Sequence, residues 1–190
     1  MEELSPGVYG WKGAEALRCG RGAAAAASAS AVVELLNQVG DTKVFLGLAQ
    51  AASDASLLQA HSIEHIIAVG AAPPPCKADV MGSKVVKLGD LASAPLLGHL
   101  PKLFDFIDSA LEEGGLLVHS SPAEDDGDED ESASTAVVVG WLLARQGVPF
   151  AEAPQAVAAN RPSAALNANF EKQLRVWTTW KEFPGLPDWM

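Results

Sequence analysis

Cysteine, cationic side chains and long apolar runs are all scarce in this chain, and each scarcity removes a class of protein. The two cysteines, Cys19 and Cys76, lie far apart and outside any Cys-x-x-Cys spacing. That pattern supports neither a disulfide framework nor a zinc site, and it fits a reducing compartment. Lys and Arg number 13 against 24 Asp and Glu, for a net charge of -11. Nucleic acid and anionic membrane surfaces recruit Lys/Arg patches, so neither is an expected partner. No stretch approaches the ~20 apolar residues of a membrane-spanning helix. The N-terminus carries Glu2 and Glu3, where a secretory signal would be basic. The expectation is a soluble, cytoplasmic protein. Arg18, Arg21 and the Ala/Ser-rich stretch to Ser30 leave organellar targeting open.

What is present suffices for a core. Apolar residues make up 48% of 190 positions, which suits one domain with a terminal extension. The negative charge is concentrated, with seven acids between Glu124 and Glu131.

Periodicity divides the chain into alternating elements. Residues 1–30 are Gly/Ala/Ser-rich without a clean period and read as a loose arm. Ala31 to Val39 predicts a short helix, Val44 to Leu46 a brief strand, and Ala49 to Ala60 an amphipathic helix burying Ala52, Leu57 and Leu58. Ile63 to Val69 is a compact apolar run of the kind buried in a parallel sheet. Pro73 to Pro75 then interrupt regular structure. Lys84 to Leu88 predicts another strand and His99 to Leu111 a helix. Leu116 to Val118 predicts a buried strand running into His119 and Ser120. Ser134 to Ala144 predicts an apolar helix with Ser132 or Ser134 as N-cap. Pro154 to Ala159 and Ala168 to Trp180 predict two more helices. The fold class is therefore α/β, with a central, mainly parallel sheet flanked by helices.

Four stretches, in this order, resemble the dual-specificity branch of the cysteine-based protein tyrosine phosphatases. They are VFLGLAQAAS (44–53) with LLQAHSIEHIIAVG (57–70), KLFDFIDSALEEGGLLVHS (102–120), STAVVVGWLLARQG (134–147) and RPSAALNANFEKQL (161–174). In the last, Leu166 replaces the second proline of the family pattern. The organisation expected from this resemblance is an arm and short helix over 1–42, a phosphatase-like domain over 43–180 with an acidic insertion at 121–133, and a tail over 181–190.

The resemblance implies a phosphate loop of the form His-Cys, five residues, Arg, then Ser/Thr, opening onto a helix. A low-pKa Cys attacks phosphorus, backbone N–H groups cradle the oxygens, an Arg grips two of them, and an Asp from another loop protonates the leaving oxygen. Here the nucleophile position falls on Ser120, after the matching His119. A serine hydroxyl is not ionised near neutral pH without a partnered base. Counted from the helix side, the arginine position falls on Ala133, just before Ser134; counted from Ser120 it falls on Asp126. No Lys or Arg occurs between Lys102 and Arg145. The segment from Ser120 to Ala133 is about seven residues longer than the family loop, and the added length is acidic, which repels a phosphate dianion. Asp90 stands where the general acid is expected.

The leading expectation is thus a pseudophosphatase, a catalytically degenerate member that binds, scaffolds or regulates proteins. A diverged active phosphatase is the alternative, with Arg145 or Arg161 as the nearest replacement cations. A third reading makes Glu124 to Glu131 a docking loop for a basic partner segment. No cofactor is expected. His61 and His65, read as one helical turn apart, hint at a metal pair, but no third ligand is evident and structural or surface roles are expected. Asp126-Gly127-Asp128 lacks the register of a calcium loop. Cys76 reads as a passive thiol. Trp177 and Trp180 are expected to pack the last helix onto the core, with Trp189 a candidate anchor for a partner.

Overall fold

The computed structural model describes residues 35–70, 80–88, 94–120 and 131–181. Among these residues, five strands form one sheet: β1 (Leu36–Gln38), β2 (Val44–Gly47), β3 (Ile63–Val69), β4 (Gly82–Val86) and β5 (Gly115–Ser120). Its order is β1-β2-β5-β3-β4, with β1 antiparallel to β2 and the other neighbours parallel. Five α-helices accompany it: α1 (Ala55–Ala60), α2 (Leu100–Glu113), α3 (Ser132–Arg145), α4 (Ala153–Asn160) and α5 (Ala168–Lys181).

The sequence of β5 explains its central place. All six of its residues are buried, and it bonds to β2 on one side and β3 on the other. A strand apolar on both faces needs cover above and below. Leu116 and Val118 enter the core built with α2, α3 and α5, while Leu117 enters the smaller core built with Phe45, Leu57, Leu58 and Ile66. Helix α2 contributes Leu100, Leu103, Phe104, Ile107 and Ala110, one stripe at helical spacing. Helix α3 is buried from Ser132 through Leu143, on every face. Such a helix belongs to the interior rather than the surface.

The structure alters the expected boundaries in particular ways. The helix expected over Ala31 to Val39 is not formed at its described end, where Leu36–Gln38 is a strand. Pairing satisfies the outer edge of β2, which a helix would leave bare, and seats Leu36 in the smaller core. Gly47 permits the close approach: a Cβ there would lie 2.5 Å from the Leu35 carbonyl oxygen. The sheet therefore starts before the expected boundary at residue 43. The helix expected over Ala49 to Ala60 is split into a 3₁₀ turn, Ala51–Ser53, and α1. Asp54 divides them, because its carboxylate accepts the Ser56 and Leu57 N–H groups at 3.0 and 3.1 Å and so starts a new helix. The strand expected over Lys84 to Leu88 ends at Val86, since the Leu88 N–H turns back to the Val86 carbonyl at 2.9 Å.

Three parallel strands, β2, β5 and β3, thus end side by side, with Gly47 opposite His119 and Val69 opposite Ser120. In open α/β sheets, sites form beyond the carboxyl ends of such strands. The arm, the proline run, Asp90, residues 121–130 and the tail with Trp189 lie outside the described residues, as do Cys19 and Cys76.

Candidate functional site

The carboxyl end of β5 meets the first turn of α3. Ser120 closes the strand and is 5% exposed; Ala133 and Ser134 lie in the helix's first turn, 1% and 0% exposed. The structure places His119 and Ser120 at the end of β5 and Ala133 and Ser134 in the first turn of α3, with Ser120 bonded to Ser134.

Their hydrogen bonds set the chemistry. The Ser120 Oγ donates to the Ser134 Oγ at 2.9 Å and accepts the Ser134 backbone N–H at 3.2 Å. The Ser134 Oγ in turn donates to the Glu131 carbonyl oxygen at 2.9 Å. The first N–H groups of a helix have no partner within it, so Ser120 supplies from the sheet what a capping side chain normally supplies from the chain just ahead. Neither Ser132 nor Ser134 is the N-cap. That position falls to Glu131, and its side chain caps no N–H. The Ser132 Oγ accepts the Asn167 N–H at 2.7 Å instead.

His119 is 1% exposed, and its Nδ1 lies 3.1 Å from the Ser120 carbonyl oxygen. A carbonyl only accepts, so Nδ1 is the donor in this bond. Burial lowers the pKa of the ring below the usual value, and the bond to Ser120 opposes that shift only in part. The imidazole is directed to the strand's backbone through Nδ1, while Nε2 is a buried atom with no hydrogen-bond partner among the described residues.

The two arginines named as replacement cations are both engaged with carboxylates. Arg145 leaves the far end of α3 and bonds Asp108 at 2.6 Å and Asp105 at 3.0 Å, half-exposed, while Trp141 Nε1 donates to Asp108 at 3.0 Å. Arg161 is 5% exposed and grips both Glu131 carboxylate oxygens through Nε and Nη2 at 2.5 Å, with Nη1 on Asn37 Oδ1 at 2.9 Å. In the sequence Glu131 is the last member of a charge run. Its pairing with a residue thirty positions onward left no local signal.

The closing segment holds the far side. Asn167 Oδ1 accepts the Phe170 N–H at 2.8 Å and starts α5, and Phe170 and Leu174 are fully buried. Gln173 Oε1 accepts the Leu96 N–H at 2.8 Å while its Nε2 donates to the Ala94 carbonyl at 2.8 Å. The chain that returns from the Asp90 segment is thereby fixed to α5.

His61 and His65 do not share a helix. His61 ends α1, its ring 5.2 Å from Phe45, and His65 lies on β3 with Nε2 2.9 Å from Glu113. Among the described residues, no three His, Cys, Asp or Glu side chains gather into a metal-binding group. Trp177 packs edge-on to Phe104 at 6.1 Å between ring centres. No helix of the described residues is long and apolar enough to cross a membrane.

No family model matches the chain. In sequence it is similar to dual specificity protein phosphatase 1 of Arabidopsis thaliana, 33% identical over 133 residues, and to dual specificity protein phosphatase 19 of Mus musculus, 31% identical over 151 residues. These stretches cover 70% and 78% of this chain and 64% and 66% of those proteins, so the chain spans about two thirds of its relatives' length. In structure it is similar to human DUSP28, with a TM-score of 0.68 and 26% identity over 78% of this chain and 96% of that one.

Proposed function

Since the chain belongs to the dual-specificity protein phosphatase family, we propose that it is a non-catalytic member, a pseudophosphatase that acts by binding or scaffolding proteins. One observation carries the reading. The hydroxyl at the nucleophile position is a structural cap, with its proton on Ser134 and a lone pair on a helix N–H. A serine nucleophile needs a base within reach of that proton. The ring next in sequence uses its Nδ1 on the Ser120 carbonyl.

The missing guanidinium supports the same reading. Ala133 stands at the arginine position, and each charge-assisted bond it cannot make is worth about 1.5–3 kcal/mol. Arg145 and Arg161, the cations considered as replacements, are paired with carboxylates. Asp90 keeps the position of the general acid, but with no phosphoenzyme to form it has no leaving oxygen to protonate. Binding of a Lys/Arg-rich partner segment by Glu124 to Glu131 is compatible with this reading, and its signature is a strong dependence on salt.

The test is turnover of a generic phosphate ester by the wild-type chain, paired with a repaired variant. The repair combines Ser120→Cys with Ala133→Arg in a loop shortened to family length. Activity is expected only in the repaired protein. Turnover that tracks the purified wild type and disappears on Asp90→Ala refutes the proposal and favours the diverged-phosphatase alternative.

A further inference from the structure

Strand β4 forms one border of the sheet, and among the described residues no strand pairs with its outer side. The Gly70 N–H bonds the Val86 carbonyl at 2.7 Å, so the backbone of Val86, and two residues earlier that of Lys84, turns toward β3. The N–H and C=O groups of Ser83 and Val85 therefore point outward. Such a row of outward donors and acceptors is a template for a further strand.

The two faces of this border differ in chemistry. Lys84 points to the α2 side, where its Nζ donates to the Lys102 carbonyl at 2.6 Å and lies 5.3 Å from the centre of the Phe106 ring. Val85 alternates with it and lies on the opposite face, 40% exposed; Met81, just ahead of the strand, is 68% exposed. These are the large apolar side chains left exposed among the described residues. The α2 side is short of negative charge. Desolvation lowers the Lys84 pKa, Asp105 opposes that shift in part, and Lys102 adds to it. Asp105 is itself bonded by Arg145. Lys87 and Lys102, both exposed, add further positive charge beside Lys84 in a chain of net charge -11.

We propose that the outer edge of β4 is a docking site for an extended segment of a partner protein in which apolar and acidic residues alternate. Backbone bonds to Ser83 and Val85 add the segment to the sheet, and side-chain alternation then puts its acids beside Lys84 and its apolar groups beside Val85. A second copy of β4 fits poorly, because antiparallel pairing sets its Lys84 on the same face as this one. The chain's own acidic run, Glu124 to Glu131, has no apolar residue to alternate with its acids. Strand β3 separates this edge from β5 and Ser120, so the inference stands whether or not the chain turns over an ester.

The experiment titrates the full chain with a synthetic peptide alternating valine with glutamate and with its valine–lysine counterpart, and follows amide hydrogen exchange. Wild type is expected to bind the glutamate peptide at least about tenfold more tightly than the lysine one, with protection gained at the Ser83 and Val85 amides. Lys84→Glu is expected to reverse that preference. Val85→Pro removes an outward N–H while leaving the bonds to β3, and is expected to weaken binding about tenfold. Equal binding of the two peptides, no binding up to ~1 mM, protection gained elsewhere, or undiminished binding by Val85→Pro overturns the site. Should Val85→Pro fail to fold, the Lys84→Glu comparison decides, and an unchanged preference overturns the proposal. Self-association of the chain through β4 in place of peptide binding overturns the assigned partner. Ester turnover by wild type would remove the pseudophosphatase reading and leave these outcomes untouched.

Discussion

Ser120→Ala separates a structural hydroxyl from a catalytic one. The substitution deletes one oxygen and opens almost no space. It strips the buried Ser134 N–H of its acceptor and the Ser134 Oγ of its donor, while the Ser134 Oγ keeps its own bond to Glu131. A buried amide left without a partner costs about 1–3 kcal/mol, and loss of a helix cap about 0.5–2 kcal/mol. These describe one event and are not summed. A loss of about 1–3 kcal/mol corresponds to a fall in Tm of roughly 3–10 °C in a domain of this size. Urea and thermal melts measure it, with Ser134→Ala and the double variant completing a cycle whose coupling energy should exceed roughly 0.5 kcal/mol for touching residues. Nucleophiles held for catalysis are commonly neutral or stabilising when removed, because the site is strained for function. An unchanged or raised Tm in Ser120→Ala therefore refutes the capping argument and the functional reading built on it.

Two further perturbations probe the same corner. Burial holds the His119 pKa below its ordinary 6.5. The unfolded chain thus binds the proton more readily than the native one, and stability is full above about pH 6.5 and declines as the solution is acidified below it, with a slope of at most about 1.4 kcal/mol per pH unit. His119→Asn, which retains a donor near the Nδ1 position, is expected to flatten that decline in urea melts; an identical pH slope in both proteins refutes it. Gly47→Ala places a Cβ 2.5 Å from the Leu35 carbonyl oxygen and 2.8 Å from the Leu36 Cβ, neither of which is a yielding side-chain tip. Overpacking of this kind costs about 1–3 kcal/mol, and hydrogen exchange should show the β1 amides losing protection while β5 keeps its own. Uniform protection in both strands counts against it.

Much of this architecture is legible in the amino acids because it depends on local pattern. Ile63 to Val69 and Leu116 to Val118 read as buried strands because they are compact apolar runs, and α2 shows its stripe at Leu100, Leu103, Phe104 and Ile107. What escaped depends on distant partners. Leu36–Gln38 has helix-compatible residues and becomes a strand because β2 offers an open edge. Ser120 and Ser134 were placed by their resemblance to a phosphate loop, but the bond between them has no trace in spacing. The pairing of Arg161 with Glu131 likewise has no sequence signal, since only the fold brings positions 131 and 161 within contact.

The bonds from Ser120 to Ser134 and from Ser134 to the Glu131 carbonyl join the last residue of β5 to the start of α3. Two hydroxyls and one amide thus set where the buried helix begins against the sheet, so a change at either serine acts on the register of α3 as well as on its stability.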